Sequence, residues 1–259
     1  DPSYTTTWDT IVYCSLDHPD GKLVQLLLVA SALRDGGARR IVLVAPYLGY
    51  MRQDQAFAPG EAVSQRVIGG LIADWFDGLI TVDPHLHRTP SLDAVMPGIM
   101  TVNLSAAPTI AQAIAPMVTP ETILVGPDEE SRPWVEAVGA PLGLDVMVGT
   151  KTRLGDRKVE IVIADAGRTA GRPVMLVDDL ISSGGTLIAC ATQLREAGAT
   201  HVGAVATHCL ASAADLDALR TSGIDPVLAT DTVPGPVADI AMAPALAAAV
   251  RSALASLTG

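Results

Sequence analysis

Residues 174–187 constrain the fold more than any other stretch of the chain. The apolar run 174–177 ends in Asp178 and Asp179, and after a loop of serine and glycine a helical pattern begins at Thr186. This order predicts a parallel strand that carries two carboxylates to its C-terminal end, then a turn and a helix N-terminus whose N–H groups bind an anion. Two carboxylates suit the neighbouring hydroxyls of a sugar, so we predict a phosphorylated-sugar site. The alternative is an ordinary strand, turn and helix with a Ser/Thr cap.

The rest of the chain alternates short apolar runs with helical patterns. Such alternation predicts an α/β fold of mainly parallel sheets flanked by helices. We predict strands at 10–15, 41–47, 79–82, 123–125, 145–148, 159–164, 174–177, 202–207 and 227–230, and helices at 22–35, 64–73, 107–115 and 186–197.

The composition agrees with this fold class and argues against some partners. Hydrophobic residues make up 49% of the 259 residues but aromatic residues only 3%, so Ala, Val, Leu and Ile must fill the core. The formal net charge of -11 argues against nucleic acid as a partner, because a phosphate backbone needs a basic face. No apolar run reaches the roughly 20 residues that cross a bilayer, so we expect no membrane partner.

Cysteine usage and the N-terminus bear on the origin of the chain. Cys14, Cys190 and Cys209 are odd in number and widely spaced, which is typical of a reducing cytosol rather than of a disulfide framework. We therefore expect a cytoplasmic protein. The chain begins with Asp1 rather than Met, close to its first predicted strand, so we expect that upstream residues have been removed.

A weak internal repeat indicates two similar halves. Residues 33–41 align with residues 194–202, and each copy has the pattern of a helix end, a glycine cap and the start of a buried strand. Many helix-to-strand junctions share part of this pattern, but here the match runs through the whole segment. We predict one domain at 1–100, a second at 101–237, and a C-terminal helix at 238–259 that packs back on the first.

Two groups of polar residues follow predicted strands, at the sheet edge where α/β proteins bind ligands. Arg52 can hold phosphate oxygens, and Gln53 can donate to and accept from a base or a ribose, although an interface loop is the alternative. His85 and His87 follow Asp83 and predict a metal or phosphate site, whereas a single histidine is more often structural.

Two charged clusters complete the candidate site. Asp128, Glu129 and Glu130 follow a third strand, and their oxygens suit Mg²⁺, although solvated acids at a helix N-terminus are the alternative. Residues 151–158 form a basic island in an acidic chain, which favours them as a place to meet polyphosphate, although exposed loops are often charged.

In type and order these motifs resemble those of the ribose-phosphate pyrophosphokinase family, from about residue 10 to the C-terminus. Type I phosphoribosyltransferases share only the sugar-phosphate loop. The resemblance implies two phosphoribosyltransferase-like (type I) halves, the first on the ATP side and the second on the ribose 5-phosphate side. It further implies Mg²⁺ as cofactor and a homo-oligomer, either a dimer or a hexamer. The implied reaction transfers the diphosphoryl group of ATP to the anomeric hydroxyl of ribose 5-phosphate, giving phosphoribosyl pyrophosphate and AMP.

The resemblance also assigns roles to individual residues. It implies that Lys151 and Arg153 are catalytic, and that His85 and Asp128 bind the metal. The residues implied in ATP binding are Arg52, Gln53 and Asp54. The residues implied in ribose 5-phosphate binding are Arg153, Asp178, Asp179, Ser182, Ser183, Gly184, Gly185 and Thr186.

The chain also departs from the family pattern. Ser182 stands where an acid is usual, Pro84 where leucine is usual, and Glu129 and Glu130 where small residues are common. An upstream segment similar to Phe-x-Asp-Gly-Glu, which helps to grip adenine in the family, has no match within the chain. Two alternatives therefore stay open, namely a non-catalytic regulatory relative of the enzyme and a phosphoribosyltransferase.

Overall fold

The computed structural model describes residues 8–56, 58–154 and 158–258. The helices are α1 Pro19–Asp35, α2 Ser64–Trp75, α3 Leu92–Val95, α4 Ala107–Ile114, α5 Arg132–Gly139, α6 Gly185–Glu196, α7 Ala213–Thr221 and α8 Ala243–Thr258. The strands are β1 Trp8–Tyr13, β2 Ala38–Ala45, β3 Gly78–Val82, β4 Met100–Leu104, β5 Ile123–Gly126, β6 Asp145–Val148, β7 Thr150–Leu154, β8 Lys158–Val162, β9 Pro173–Ile181, β10 His201–Cys209, β11 Val227–Thr230 and β12 Ala238–Ile240.

The chain divides into two compact units. Unit 1 comprises Asp1–Ser105 and Ala243–Gly259, and unit 2 comprises Ala106–Met242. Unit 1 holds a parallel sheet in the order β1-β2-β3-β4, and unit 2 holds a parallel sheet in the order β12-β11-β10-β9-β5-β6. β7 and β8 form a separate antiparallel ribbon. The predicted fold class, α/β with mainly parallel sheets, is confirmed.

In unit 1 the burial of each strand follows its place in the sheet. β3 is buried along its whole length, and β2 is buried from Ile41 onwards, because both strands lie inside the sheet. β1 lies at the edge and exposes alternate side chains, among them Ile11 and Tyr13. The Ala-rich helix α8 contacts β3 and β4 of the same unit. The unit therefore has its own apolar core, as an independently packed α/β layer requires.

In unit 2 the core lies between the sheet and the helices α6 and α7. The apolar residues of β9 and β10 are almost entirely buried, as expected of central parallel strands. Leu187, Cys190 and Leu194 of α6 join the same cluster, together with Leu216 and Leu219 of α7. This packing fixes the start of α6 relative to the end of β9, where the sequence predicts the sugar-phosphate site.

The two copies of the internal repeat adopt the same local structure. Gly37 follows α1 with φ +98°, and Gly198 follows α6 with φ +96°. This left-handed region favours glycine, because a Cβ atom is disfavoured there. Each glycine therefore ends a helix and leads into a strand, β2 in unit 1 and β10 in unit 2.

Several elements are absent from the sequence-based prediction or differ from it. Strands β4, β7 and β12 and helices α3, α5 and α7 are additional. The predicted strand at 159–164 is β8, but it pairs antiparallel with β7 instead of joining a parallel sheet. The charged residues of β7 gave no apolar pattern that would have marked it as the partner.

The prediction of one C-terminal helix over 238–259 was wrong at its start. Ala238 and Ile240 pair with Ala229 and Thr230, so β12 extends the sheet of unit 2. The Met242 N–H then donates to Asp231 Oδ1 over 2.8 Å, and the helix begins only at residue 243. In the part of the chain that the structure describes, no helix combines the length and apolar character needed to cross a membrane.

Candidate functional site

The acid pair lies at the C-terminal end of β9 in unit 2. Asp179 is only 8% exposed. Its backbone N–H donates to Asp178 Oδ1 over 2.9 Å. Burial, then the negative charges of Asp179 and Asp128, raise the pKa of Asp178 well above its usual value. Three carboxyl groups of one unit therefore lie near enough to repel one another, and a hydroxyl donor or a cation would relieve that repulsion.

Asp128 reaches this cluster because β5 pairs directly with β9, so their C-terminal ends meet at one edge of the sheet. It also caps the short 3-10 helix that follows. Its Oδ1 accepts from the N–H groups of Glu130 and Ser131 over 3.1 and 3.3 Å. These cap hydrogen bonds hold the carboxylate in place at the sheet edge, against the repulsion of the neighbouring acids.

The sequence suggested that the three acids at 128–130 act together, but in the structure Glu129 is paired separately. Both of its carboxylate oxygens accept from Arg132, each over 2.9 Å, and the pair is exposed. The hydrogen bond to Arg132 lowers the pKa of Glu129. Glu129, in the 3-10 helix before α5, is therefore neutralised at the surface by Arg132. Of the acids at 128–130, it is Asp128 that raises the pKa of Asp178.

The loop after β9 has the geometry of an anion site. Ser182 and Ser183 are exposed, and α6 begins immediately after Gly184, which has φ +78°. A Cβ atom on Gly184 would lie 2.9 Å from the Leu219 side chain, so both conformation and space demand glycine. The first N–H groups of α6, from Gly185 onwards, have no acceptor within the helix, because no turn precedes them.

In unit 1 the predicted nucleotide turn follows β2. Arg52 is exposed and Gln53 is half-buried, so both can reach a ligand. The Asp54 side chain is only 1% exposed, and its oxygens lie 3.2 and 3.3 Å from Arg88 Nη1. Asp54 therefore anchors the turn to the loop after β3, and its contact with ATP stays a prediction.

The loop after β3 brings the two predicted histidines together. His85 Nδ1 lies 3.0 Å from His87 Nε2, and the ring planes stand at 88° to each other. Asp83 and His85 have φ +37° and +56°, values that are unusual outside glycine. The loop therefore holds both imidazoles with their nitrogen atoms adjacent.

Gln65 is a residue of this region that the sequence analysis missed. It is buried in α2, where its Nε2 donates to the Met51 carbonyl over 3.2 Å and its Oε1 accepts from Thr89 Oγ1 over 2.8 Å. It thus connects the segments that contain the nucleotide turn and the histidine pair. A polar residue in a helical pattern carries no signal that would single it out.

A buried polar network at the ends of β10 and β11 was also missed. His208 Nδ1 lies 2.8 Å from Thr232 Oγ1, and the hydroxyls of Thr230 and Thr232 donate to the Thr207 carbonyl over 2.5 and 3.0 Å. His208 pairs in register with Leu180 of β9, close to the sugar-phosphate loop. The network stiffens this edge of the sheet.

The predicted catalytic residues lie on β7. Lys151 pairs in register with Ile161, and Arg153 pairs with Val159. Their side chains, and residues 155–157 of the basic island, lie outside what the structure describes. The roles of Lys151 and Arg153 therefore remain predictions.

Comparisons with known proteins agree with this fold. Residues 7–75 match the family model for the N-terminal domain of ribose phosphate pyrophosphokinase, and residues 144–248 match the phosphoribosyl synthetase-associated domain. The crystal structure of phosphoribosylpyrophosphate synthetase from Mycobacterium smegmatis aligns with a TM-score of 0.82 at 26% identity, over 98% of this chain and 85% of that one. The fold is therefore α/β of the phosphoribosyltransferase-like class.

Curated relatives identify the family. The ribose-phosphate pyrophosphokinase of Methanopyrus kandleri is 36% identical over 93% of this chain and 82% of its own length. That of Thermococcus kodakarensis is 31% identical over 92% of this chain and 82% of its own length. The chain belongs to the ribose-phosphate pyrophosphokinase family.

Proposed function

We propose that the chain is a ribose-phosphate diphosphokinase, which converts ATP and ribose 5-phosphate into phosphoribosyl pyrophosphate and AMP. The observation that carries the proposal is the end of β9, where the half-buried Asp178, the buried Asp179 and an exposed serine loop precede the start of α6. Carboxylates accept hydrogen bonds from sugar hydroxyls, and free N–H groups at a helix start bind a phosphate. Family membership supplies the reaction.

In unit 2, Asp178 and Asp179 orient the ribose hydroxyls. Ser182, Ser183 and the N–H groups from Gly185 to Thr186 hold the 5-phosphate, and Gly184 shapes the turn. Fixing both ends of the sugar aims its anomeric hydroxyl in one direction. Such orientation contributes much of the rate of a two-substrate reaction, because it removes the entropy cost of alignment from the chemical step.

In unit 1, Arg52 and Gln53 bind the nucleotide. The exposed guanidinium of Arg52 suits the phosphate oxygens, and the amide of Gln53 suits the ribose or the base. Asp54, whose carboxylate is paired with Arg88, keeps the turn in its binding conformation. Lys151 and Arg153 neutralise the charge of the diphosphoryl group as it moves, which is the usual role of cations in such transfers.

The donor sets in both units suit a divalent cation. Burial, then the negative charges of Asp179 and Asp128, raise the pKa of Asp178, so a divalent cation next to Asp128 would offset this repulsion. His85 offers a nitrogen ligand in the other unit. We propose Mg²⁺ as the cofactor, bound by residues that include Asp128 and His85. When bound, the ion polarises the nucleotide phosphates.

The proposal is tested by measuring AMP release from the purified chain with Mg²⁺, ATP and ribose 5-phosphate. We expect AMP only when both substrates are present, and phosphoribosyl pyrophosphate in equal amount. Binding of both ligands without AMP would instead identify a regulatory relative. Consumption of phosphoribosyl pyrophosphate with a nucleobase, and no AMP from ATP, would identify a phosphoribosyltransferase.

A further inference from the structure

Gln65 is a polar residue in an apolar place. It is the second residue of α2 and only 4% exposed, although glutamine usually lies at the surface of a protein. Burying an amide is unfavourable unless hydrogen bonds replace those that it makes with water. The hydrogen-bond partners of Gln65 therefore show what keeps it inside unit 1.

Both ends of the Gln65 amide have a partner, and the partners fix its orientation. A carbonyl oxygen can only accept, so the atom that faces the Met51 carbonyl over 3.2 Å is Nε2. Oε1 then accepts from the hydroxyl of Thr89 over 2.8 Å. Met51 belongs to the turn after β2, and Thr89 belongs to the loop after β3. One buried side chain thus joins these two segments.

The start of α2 holds the same turn through two further groups. The Gln65 N–H donates to the Gln53 carbonyl over 3.2 Å, and the Ser64 hydroxyl donates to the Tyr50 carbonyl over 2.9 Å. Tyr50 has φ +67°, a conformation that needs support from the surroundings in a residue other than glycine. The carbonyls at positions 50, 51 and 53 are therefore all held by the first two residues of α2.

The proposed nucleotide ligands Arg52 and Gln53 lie between two fixed points. On one side is the Met51 carbonyl, which the Gln65 side chain holds. On the other side is the buried Asp54 side chain, which is paired with the loop after β3. A binding segment that is already ordered loses less conformational entropy when its ligand arrives, so the fixed points contribute to affinity.

We propose that Gln65 is a positioning residue for nucleotide binding. Its amide holds the turn that contains Arg52 and Gln53 in the binding conformation, and the Thr89 hydroxyl holds the amide. Gln65 acts through the turn and does not itself touch the nucleotide. The inference rests on the proposed function only in taking Arg52 and Gln53 as nucleotide ligands.

The first test is calorimetry of the whole chain with ATP and Mg²⁺, and separately with ribose 5-phosphate. Gln65→Met keeps the length of the side chain and removes both of its hydrogen bonds. We expect ATP binding to weaken by about tenfold, because two buried hydrogen bonds are lost. Ribose 5-phosphate binding, which belongs to unit 2, should change by less than about twofold.

The matched control is Gln112→Met, which alters an exposed glutamine of α4 and should change neither affinity. A structural role alone would lower the thermal stability of Gln65→Met and leave both affinities of the folded chain unchanged. Unchanged ATP affinity in Gln65→Met, or an equal loss for the two ligands, would therefore overturn the inference.

A second pair of variants keeps the inference testable if Gln65→Met does not fold. Thr89→Val replaces the hydroxyl by a methyl group of similar size, so Gln65 Oε1 loses its donor, whereas Thr89→Ser keeps a donor. We expect Thr89→Val to weaken ATP binding by about threefold or more, and Thr89→Ser to restore most of the affinity. Equal ATP affinity in these two variants would contradict the inference.

The inference and the proposed reaction fail in different ways. ATP binding that depends on Gln65, without AMP release, would refute the reaction alone. AMP release together with ATP binding that is the same in Gln65→Met would refute the inference alone. No ATP binding by the unsubstituted chain would refute both.

Discussion

Arg88 and Asp54 join the two loops of unit 1 that carry its candidate ligands. The guanidinium Nη1 lies 3.2 Å from one carboxylate oxygen of Asp54 and 3.3 Å from the other. The Asp54 side chain is 1% exposed, whereas that of Arg88 is 48% exposed. The acid is therefore the buried partner, and its charge depends on Arg88 for compensation.

Arg88→Ala should lower the free energy of unfolding by about 2 kcal/mol. Removing one partner of a fully buried pair costs roughly 3–5 kcal/mol, and water reaching the Arg88 side reduces that value here. Urea denaturation measures the change. The control is Arg132→Ala, which breaks exposed, solvent-screened pairs with Glu129 and Glu136 and should lower the free energy of unfolding far less. Equal losses in the two variants would show that Asp54 does not need its partner.

Gly184→Ala should destabilise unit 2 and weaken ribose 5-phosphate binding. The new Cβ would require a left-handed backbone and would meet Leu219 at 2.9 Å. The control is Gly143→Ala, because Gly143 has φ +65° with nothing near its Cβ position. The control should cost about 1–2 kcal/mol from conformation alone, and Gly184→Ala should cost more. Thermal unfolding and calorimetry with ribose 5-phosphate measure both effects.

Lys151→Ala should reduce kcat by about 30- to 1000-fold while leaving ribose 5-phosphate affinity nearly unchanged. Electrostatic stabilisation of this kind is typically worth about two to four kcal/mol in the transition state. Lys158→Ala, in the same ribbon, should keep most of the activity. Steady-state kinetics with a separate binding measurement distinguishes the two parameters. Near-normal turnover in Lys151→Ala would remove Lys151 from the mechanism.

Asp178→Asn should raise the free energy of unfolding at neutral pH in the absence of ligands. The pKa of Asp178 is raised in the folded chain, so as the pH rises from the ordinary value of 3.8 to the raised pKa the unfolded state ionises first and is favoured, and above the raised pKa the penalty stays constant. The neutral amide avoids this penalty. The gain should shrink as the pH falls and vanish below the ordinary value of 3.8, where both states are protonated. Urea denaturation from pH 4 to pH 8 measures the difference, and a gain that is constant over this range would contradict the prediction.

Much of the fold could be predicted because a buried parallel strand is visible in the sequence as a continuous run of apolar residues. The run 174–177 and the glycines of the repeat gave the right elements, and Gly37 and Gly198 share one backbone conformation. β12 could not be predicted, because three residues inside an Ala-rich segment are too few to show the alternation of apolar and polar residues that indicates a strand. The antiparallel pairing of β8 depends on β7, whose charged residues look like a loop.

In the candidate site, too, residues could be predicted from their neighbours in the sequence, whereas contacts between distant segments could not. Asp178, Gly184 and His85 could be named because each lies next to the end of a strand in the sequence. The partnership of Arg88 with Asp54 could not, since it joins two separate loops and either residue alone resembles surface charge. Gln65 is similar, because only the folded chain shows that it bridges Met51 and Thr89.

The most direct test of the proposed reaction is phosphorus NMR of the purified chain with Mg²⁺, ATP and ribose 5-phosphate. The account predicts that the ATP signals are replaced by those of AMP and of a diphosphate attached to the anomeric carbon of the sugar. Formation of ADP with a singly phosphorylated anomeric carbon, or unchanged ATP while both substrates are bound, would contradict it.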